Sequence, residues 1–230
     1  EDEGILMITP ASTSPEITER GYELVFRTIG LDSMQGPVAG NYIASQSPER
    51  VAIVHDKQQY GEGIATAVRD TLKDAGVEIA MFEGITAGDK DFSSLVTKLK
   101  QADVDYVYYG GYHPELGLIL RQADSAGLDA RFMGPEGVGN KDINTIAVEA
   151  AEGLLVTLPP AFDQKAENQA LVKAFQDKGE DPSGPFVLTS YTAVQLVAEG
   201  IEAADSTDPF DVAAALREGT FQTPIGTVEY

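Results

Sequence analysis

The sequence predicts an α/β protein built on doubly wound parallel sheet, and three observations carry that expectation. Apolar segments begin at residues 51, 77, 104, 131 and 153, so they recur at steps of 22 to 27 residues. That spacing fits successive βαβ crossovers. Between the segments lie stretches of helical period: Ile64, Val68, Thr71, Leu72 and Ala75 share one face, Phe92, Leu95, Val96 and Leu99 a second, and Leu116, Ile119, Leu120 and Ala123 a third. Turn chemistry falls where those helices need it, with Gly76 and Gly127 at C-caps and Asp91 at an N-cap. Alternating strands and helices imply parallel strands covered on both faces.

The remaining elements follow in order. Gly4–Thr9 is a short apolar strand ahead of PASTSPE. A Gly-Leu-Asp stretch inside TIGLDSMQGP (28–37) precedes a new helix, and LPPAFDQ (158–164) interrupts the cadence after a strand at Gly153–Leu158. Beyond it the pattern turns helical, with Leu171–Phe175, a long stripe of Val187, Tyr191, Val194, Val197, Ala198 and Ile201, and a helix over Asp211–Arg217. The chain closes in a strand at Ile225–Tyr230. Residues 32–160 are expected to form one α/β lobe, and 1–31 with 161–230 part of another, joined by two crossings. Both ends have the character of cuts, since the chain enters a buried strand almost at once and stops inside another.

Composition narrows the function. Of 230 residues, 37 are acidic and 16 basic, a net charge of −21, which argues against nucleic acid or an anionic membrane as partner. There is no cysteine, so thiol catalysis and cysteine-rich zinc sites are excluded. No apolar run reaches spanning length and no secretory signal opens the chain. His55, Asp56 and His113 lie near strand ends without metal-ligand spacing, and no metal is expected. Neither GPEGVG nor YYGGY has the dinucleotide-binding pattern, and no cofactor is expected.

Chemistry gathers where the strands end. Arg131–Met133 runs into GPEGVG with Glu136, Val51–Asp56 into KQQYGEG with Tyr60, Val104–Gly110 into GYHPE with Tyr112, and Gly4–Thr9 into PASTSPE with Thr13. Parallel strands would bring one carboxylate, one hydroxyl and two aromatics to the carboxyl edges, where ligands of open α/β sheets bind. A small zwitterion with an apolar side chain suits them. Gly134, Pro135 and Gly137 allow backbone to approach a ligand at Glu136. A buried carboxylate needs a cationic partner, and an α-ammonium meets that need. Thr13-Ser14-Pro15-Glu16 also reads as a capping box with an early proline, so Thr13 can cap a helix and help cradle a carboxylate.

Several stretches carry a resemblance: DKQQYGEG (56–63), FEGITAGDKDFSSLVTKLK (82–100), DYVYYGGYHPELG (105–117), RFMGPEGVGN (131–140) and DPSGPF (181–186). They resemble the bacterial leucine/isoleucine/valine-binding proteins, periplasmic type I solute-binding proteins that serve ABC importers, and the likeness runs through nearly the whole chain. It implies a type I periplasmic-binding-protein fold of two hinged α/β lobes, the first incomplete, because the family has an opening βαβ portion ahead of EDEG and a C-terminal return beyond TPIGTVEY. Carried over by position, the α-carboxylate contacts fall on Ala11, Ser12 and Thr13. The α-ammonium falls on Glu136, with Tyr60 and Tyr112 beside it, and Phe186 lines the apolar side-chain pocket. The resemblance implies a non-catalytic, periplasmic receptor for branched-chain amino acids that delivers to a membrane permease. A sensor or regulator on the same fold is the alternative, and an enzyme would need a nucleophile–base pair that the sequence does not offer. Amphipathic faces in 1–31 and 161–230 that lack a cover predict self-association.

Overall fold

Residues 2–230 are described by the computed structural model, in two units. One joins the segment ending at Gly30 to Pro159–Tyr230, and the other is Leu31–Leu158. The first unit opens with β1 (Met7–Thr9), the single-turn helix α1 (Glu16–Glu19) and β2 (Val25–Arg27), with β1 and β2 paired in parallel.

The second unit holds α2 (Asp32–Ser45), β3 (Val51–His55), α3 (Gln59–Asp74), β4 (Ile79–Gly84), α4 (Ser93–Gln101), β5 (Tyr106–Gly110), α5 (His113–Ser125), β6 (Arg131–Gly134), α6 (Ile143–Ala147) and β7 (Leu155–Val156). Its five strands pair in the order β4-β3-β5-β6-β7, all parallel. Alternate strand residues feed opposite faces, as period-two side chains must. Val51, Ile53, Tyr106, Tyr108 and Met133 pack with Ala39 and Ile43 of α2 and Val68 and Leu72 of α3. Ala52, Val54, Val107, Tyr109 and Phe132 pack with α4, α5 and α6. Helices therefore cover both faces, and every strand of this sheet sends its carboxyl end to the same edge.

Three of the strands start two residues later than their apolar segments, for one physical reason. Gly76, Asp103 and Gly153 take positive φ, and the next residue still completes the turn. Val77 N–H donates to Leu72 O, Val104 N–H to Leu99 O and Leu154 N–H to Ala151 O. The first two bonds are the long closing bond of a Schellman motif, which Leu128 N–H to Ala123 O repeats after Gly127. Asp91 caps α4 from one residue outside the N-cap, its carboxylate accepting the Ser93 N–H at 2.9 Å.

The first unit resumes with α7 (Gln169–Gln176), α8 (Val187–Ala204), α9 (Pro209–Glu218) and an antiparallel hairpin of β8 (Phe221–Thr223) and β9 (Gly226–Val228). Leu24, Phe26, Leu196, Val212, Leu216 and Phe221 form its core. The buried face of α8 corrects the expected stripe: Leu188, Thr192, Ala193 and Leu196 are inside, whereas Tyr191 is 42% and Val194 73% exposed. The helix carries no charge from Val187 to Ala198, so periodicity alone does not pick the inner face and the neighbouring core does. The structure starts α1 at Glu16, three residues beyond Thr13.

Candidate functional site

In the second unit, three of the predicted residues meet at the carboxyl edge of the sheet. Tyr60 stands in the first turn of α3, directly after β3 and its Asp56-Lys57 turn. Tyr112 is the N-cap of α5, after β5, and Glu136 opens a 3₁₀ turn (Glu136–Val138) after β6. The Tyr60 hydroxyl donates to Glu136 Oε1 at 2.8 Å and accepts the Gly137 N–H at 3.2 Å. The Tyr60 and Tyr112 rings lie 5.3 Å apart between centroids, tilted by 40°. Glu136 is 3% exposed, while Tyr112 is 47% exposed.

Glycine makes that approach possible. A Cβ on Gly137 would lie 2.7 Å from the Gly111 carbonyl oxygen and 3.0 Å from the Tyr60 ring, so the turn holding Glu136 can sit against Tyr60 only without a side chain there. Gly61, the residue after Tyr60, has a similar role toward the β3 end, where a Cβ would clash with Asp56 Oδ1 and Gly110 O.

Carboxylates dominate the electrostatics around Tyr60 and Tyr112. Burial and the nearby Glu136 push the Tyr60 phenol far above its ordinary value, so it remains a hydrogen-bond donor. Burial also raises Tyr112, with further contributions from Asp56, Glu136 and Asp32. Asp56 is 1% exposed and Asp32, the first residue of α2, 4% exposed. Burial raises the Asp56 carboxyl and lowers the His55 imidazole. The arrangement is an acceptor-rich edge with aromatic walls, suited to a small cation. Among the described residues no group of three or more His, Asp or Glu side chains could hold a metal ion.

The other predicted residues belong to the first unit. Ala11, Ser12 and Thr13 form the loop after β1, with Thr13 buried and the other two exposed. Arg27 of β2 clamps this loop, donating to Ser12 O at 2.9 Å, to Ser14 O at 2.7 Å and twice to Thr18 Oγ1 at 2.9 and 3.2 Å. A Ser12 carbonyl turned toward Arg27 turns the Thr13 N–H of the same trans peptide the opposite way. The Ser12 N–H is already engaged by Thr9 Oγ1 at 3.0 Å. Phe186 is half-buried at the N-cap of α8. The Thr28 hydroxyl, just past β2, donates to Thr189 O at 2.9 Å and ties this helix start to the same end of the β1–β2 pair. A separate open groove of about 670 Å³, lined by Tyr22, Phe210 and Arg217 among others, lies elsewhere on this unit and includes none of the predicted site residues.

Sequence reasoning passed over Arg27, Asp32 and Tyr108. Asp32 stood in the noted Gly-Leu-Asp stretch and Tyr108 inside the YYGGY run. Arg27 carried no signal, because its role depends on strand pairing.

Residues 1–230 match the periplasmic binding protein family from end to end. The chain belongs to that family. It is 62% identical, over its full length, to the leucine-, isoleucine-, valine-, threonine-, and alanine-binding protein of Pseudomonas aeruginosa. It is 55% identical to the Leu/Ile/Val-binding protein of Escherichia coli K12. It spans 62% of the length of each of these curated relatives. Among solved structures, a leucine binding protein from Thermotoga maritima matches all of the chain with a TM-score of 0.91 at 26% identity. A branched-chain amino acid transporter substrate binding protein from Streptococcus pneumoniae, in complex with isoleucine, matches with 0.87 at 27% identity. The chain covers 66% of each of those two. Its fold is the type I periplasmic-binding-protein fold.

Proposed function

We propose that this family member captures branched-chain aliphatic amino acids outside the cytoplasm and delivers them to an ABC importer, without catalysing a reaction. The observation that carries the reading is Glu136, a carboxylate 3% exposed and oriented by the Tyr60 hydroxyl. It is the natural acceptor for an α-ammonium, with the Tyr60 and Tyr112 rings beside it. The α-carboxylate goes to the loop of Ala11, Ser12 and Thr13, where the Thr13 N–H turned away from Arg27 and the Ser12 hydroxyl are the donors. Phe186 takes part of the aliphatic side chain. The names of the relatives and the isoleucine in the pneumococcal complex support this ligand class.

The proposal places the protein in the periplasm with a membrane permease as partner. It also includes self-association of this 230-residue chain. In the first unit, Met7, Tyr22, Val194 and Phe210 are between 42% and 73% exposed, and the β1–β2 pair forms a sheet of only two strands. Apolar surface and open strand edges of this kind attract partners.

Calorimetric titration with leucine, isoleucine and valine tests the ligand assignment, run beside a chain extended to the relatives' length. Saturable 1:1 heats with the extended chain, lost in Glu136→Gln, are expected. No heat with any of the three would overturn it. Light scattering tests self-association, and a monomer across the micromolar range refutes it.

A further inference from the structure

On the α2 side of the sheet, three buried polar atoms on elements tied to one another make no hydrogen bond to the protein: Tyr108 Oη, Gln35 Oε1 and Thr157 Oγ1. Tyr108 is fully buried at 0% exposure. Its phenol lies within electrostatic reach of both Glu136 and Asp32. The elements that carry these atoms are tied together. Gln35, one helical turn beyond Asp32 on α2, donates through Nε2 to Thr157 O at 3.2 Å, and the Thr157 N–H donates to Gly134 O at 3.1 Å, two residues before Glu136. Tyr108 pairs in register with Met133 on the neighbouring strand.

Protein interiors rarely leave one such atom unpaired, let alone three on adjoining elements. The inventory is specific: a phenol and a hydroxyl that both donate and accept, an amide oxygen that only accepts, and two carboxylates that accept when ionised. No single protein group could serve all of these. A water molecule, with two donors and two acceptors, can donate to both carboxylates while accepting from the Tyr108 hydroxyl, and buried waters typically make about three hydrogen bonds of this kind.

We propose that this polar cluster holds an internal hydration site, in which bound water joins the Tyr108 hydroxyl to Asp32 and Glu136. Its occupant is water and not the transported ligand. Tyr108 is then a positioning residue: it reaches the ligand-binding carboxylate only through the bridge and holds Glu136 from behind, while Tyr60 holds it from the side. Asp32, at the start of α2, shares the bridge and couples that helix to the turn carrying Glu136. The functional meaning rests on Glu136 as ammonium acceptor, whereas the hydration site does not.

The test uses no amino acid. A high-resolution crystal structure of the chain should show water within hydrogen-bond distance of Tyr108 Oη and of a carboxylate oxygen of Asp32 or Glu136. Tyr108→Phe should lose that density, and its thermal midpoint should fall by several degrees. Thr157→Val, a change of similar shape elsewhere in the cluster, should lower the midpoint too. A dry contact at Tyr108 Oη in the wild-type density overturns the proposal. So does a Tyr108→Phe protein as stable as the wild type, because a hydroxyl that was merely unsatisfied costs nothing to remove. If the two variants disagree, the wild-type density decides. A chain that shows the water yet binds no amino acid refutes the proposed function and leaves the hydration site standing.

Discussion

Tyr60→Phe removes a single oxygen and keeps the ring, so it isolates what the hydroxyl does. That oxygen donates to Glu136 Oε1 at 2.8 Å and accepts the Gly137 N–H at 3.2 Å. A hydrogen bond to a charged group contributes about 1.5–3 kcal/mol and a neutral one about 0.5–1.5 kcal/mol. With Glu136 only 3% exposed, bulk water replaces neither bond easily, so the variant should lose about 2–4 kcal/mol of stability. Urea denaturation followed by circular dichroism measures this directly. Gly137→Ala attacks the same contact from the other side, since its Cβ would come within 3.1 Å of the Tyr60 hydroxyl and 2.7 Å of Gly111 O. If both act by separating Tyr60 from Glu136, the double variant loses clearly less than the sum of the two single losses. A Tyr60→Phe loss below about 0.5 kcal/mol, the range of ordinary surface changes, would refute the claim that the hydroxyl orients Glu136. Strict additivity would refute the shared mechanism.

Glu136→Gln should weaken amino-acid binding by about 2–5 kcal/mol in calorimetric titration of the extended chain, as expected when one partner of a buried charge pair is truncated; unchanged affinity would remove Glu136 from the site. Arg27→Met deletes four hydrogen bonds to Ser12, Ser14 and Thr18, so amide hydrogen exchange over residues 12–18 should accelerate at least tenfold, an effect of about 1.4 kcal/mol or more; an unchanged exchange pattern would show that the loop holds itself. Asp56 gives a pH-dependent test. Burial raises its folded value above 3.8, so the native state holds this proton more tightly than the unfolded chain, and its contribution is most favourable below 3.8 and declines as pH rises through the folded value. Asp56→Asn can keep the oxygen that accepts the Gln58 N–H at 2.9 Å without carrying charge. It should therefore be more stable than wild type at pH 7 and gain nothing at pH 3, as measured by denaturation at the two values; equal shifts at both would contradict the burial argument.

The second unit was largely legible because its signals are local and agree with one another. Val51–His55 and Tyr106–Gly110 are buried along their whole length, so they read as unbroken apolar runs, and Gly76 and Gly127 end helices by backbone rules that need no tertiary context. The edge residues Tyr60, Tyr112 and Glu136 were legible for the same reason, each following directly on a strand of a parallel sheet. The first unit was harder. Its strands β1, β2, β8 and β9 have three residues each, too few for a period to emerge. Helix α8 is so uniformly uncharged over its first two-thirds that only Leu24, Phe26 and Val212 of its surroundings decide which side is buried. Arg27 illustrates the general limit. A lone arginine in a three-residue strand has no sequence signature, and its significance appears only when β1 and β2 pair and bring Ser12 within 2.9 Å.

The charge that each unit carries at its strand ends bears on ligand choice. In the second unit, Asp32, Asp56 and Glu136 all act on the Tyr112 phenol, and no cationic side chain contributes there. In the first, the Arg27 guanidinium lies beneath the Ser12–Ser14 carbonyls. An edge of the first kind rewards an ammonium and penalises a carboxylate, and a loop of the second kind does the reverse. The proposed ligand, a neutral amino acid, carries one charge of each sign. An amine without a carboxylate or a fatty acid without an amine carries only one of them, and a charge buried without its partner costs several kcal/mol. Aspartate or glutamate adds a second negative charge that an aliphatic pocket cannot pair. Within the proposed function, selection for neutral zwitterions is expected from charge before any side-chain pocket is considered. What remains to the pocket is a choice among aliphatic side chains, where each methylene is worth only about 1 kcal/mol. Within the proposed function, acidic ligands are expected to be rejected far more sharply than leucine, isoleucine and valine are separated from one another.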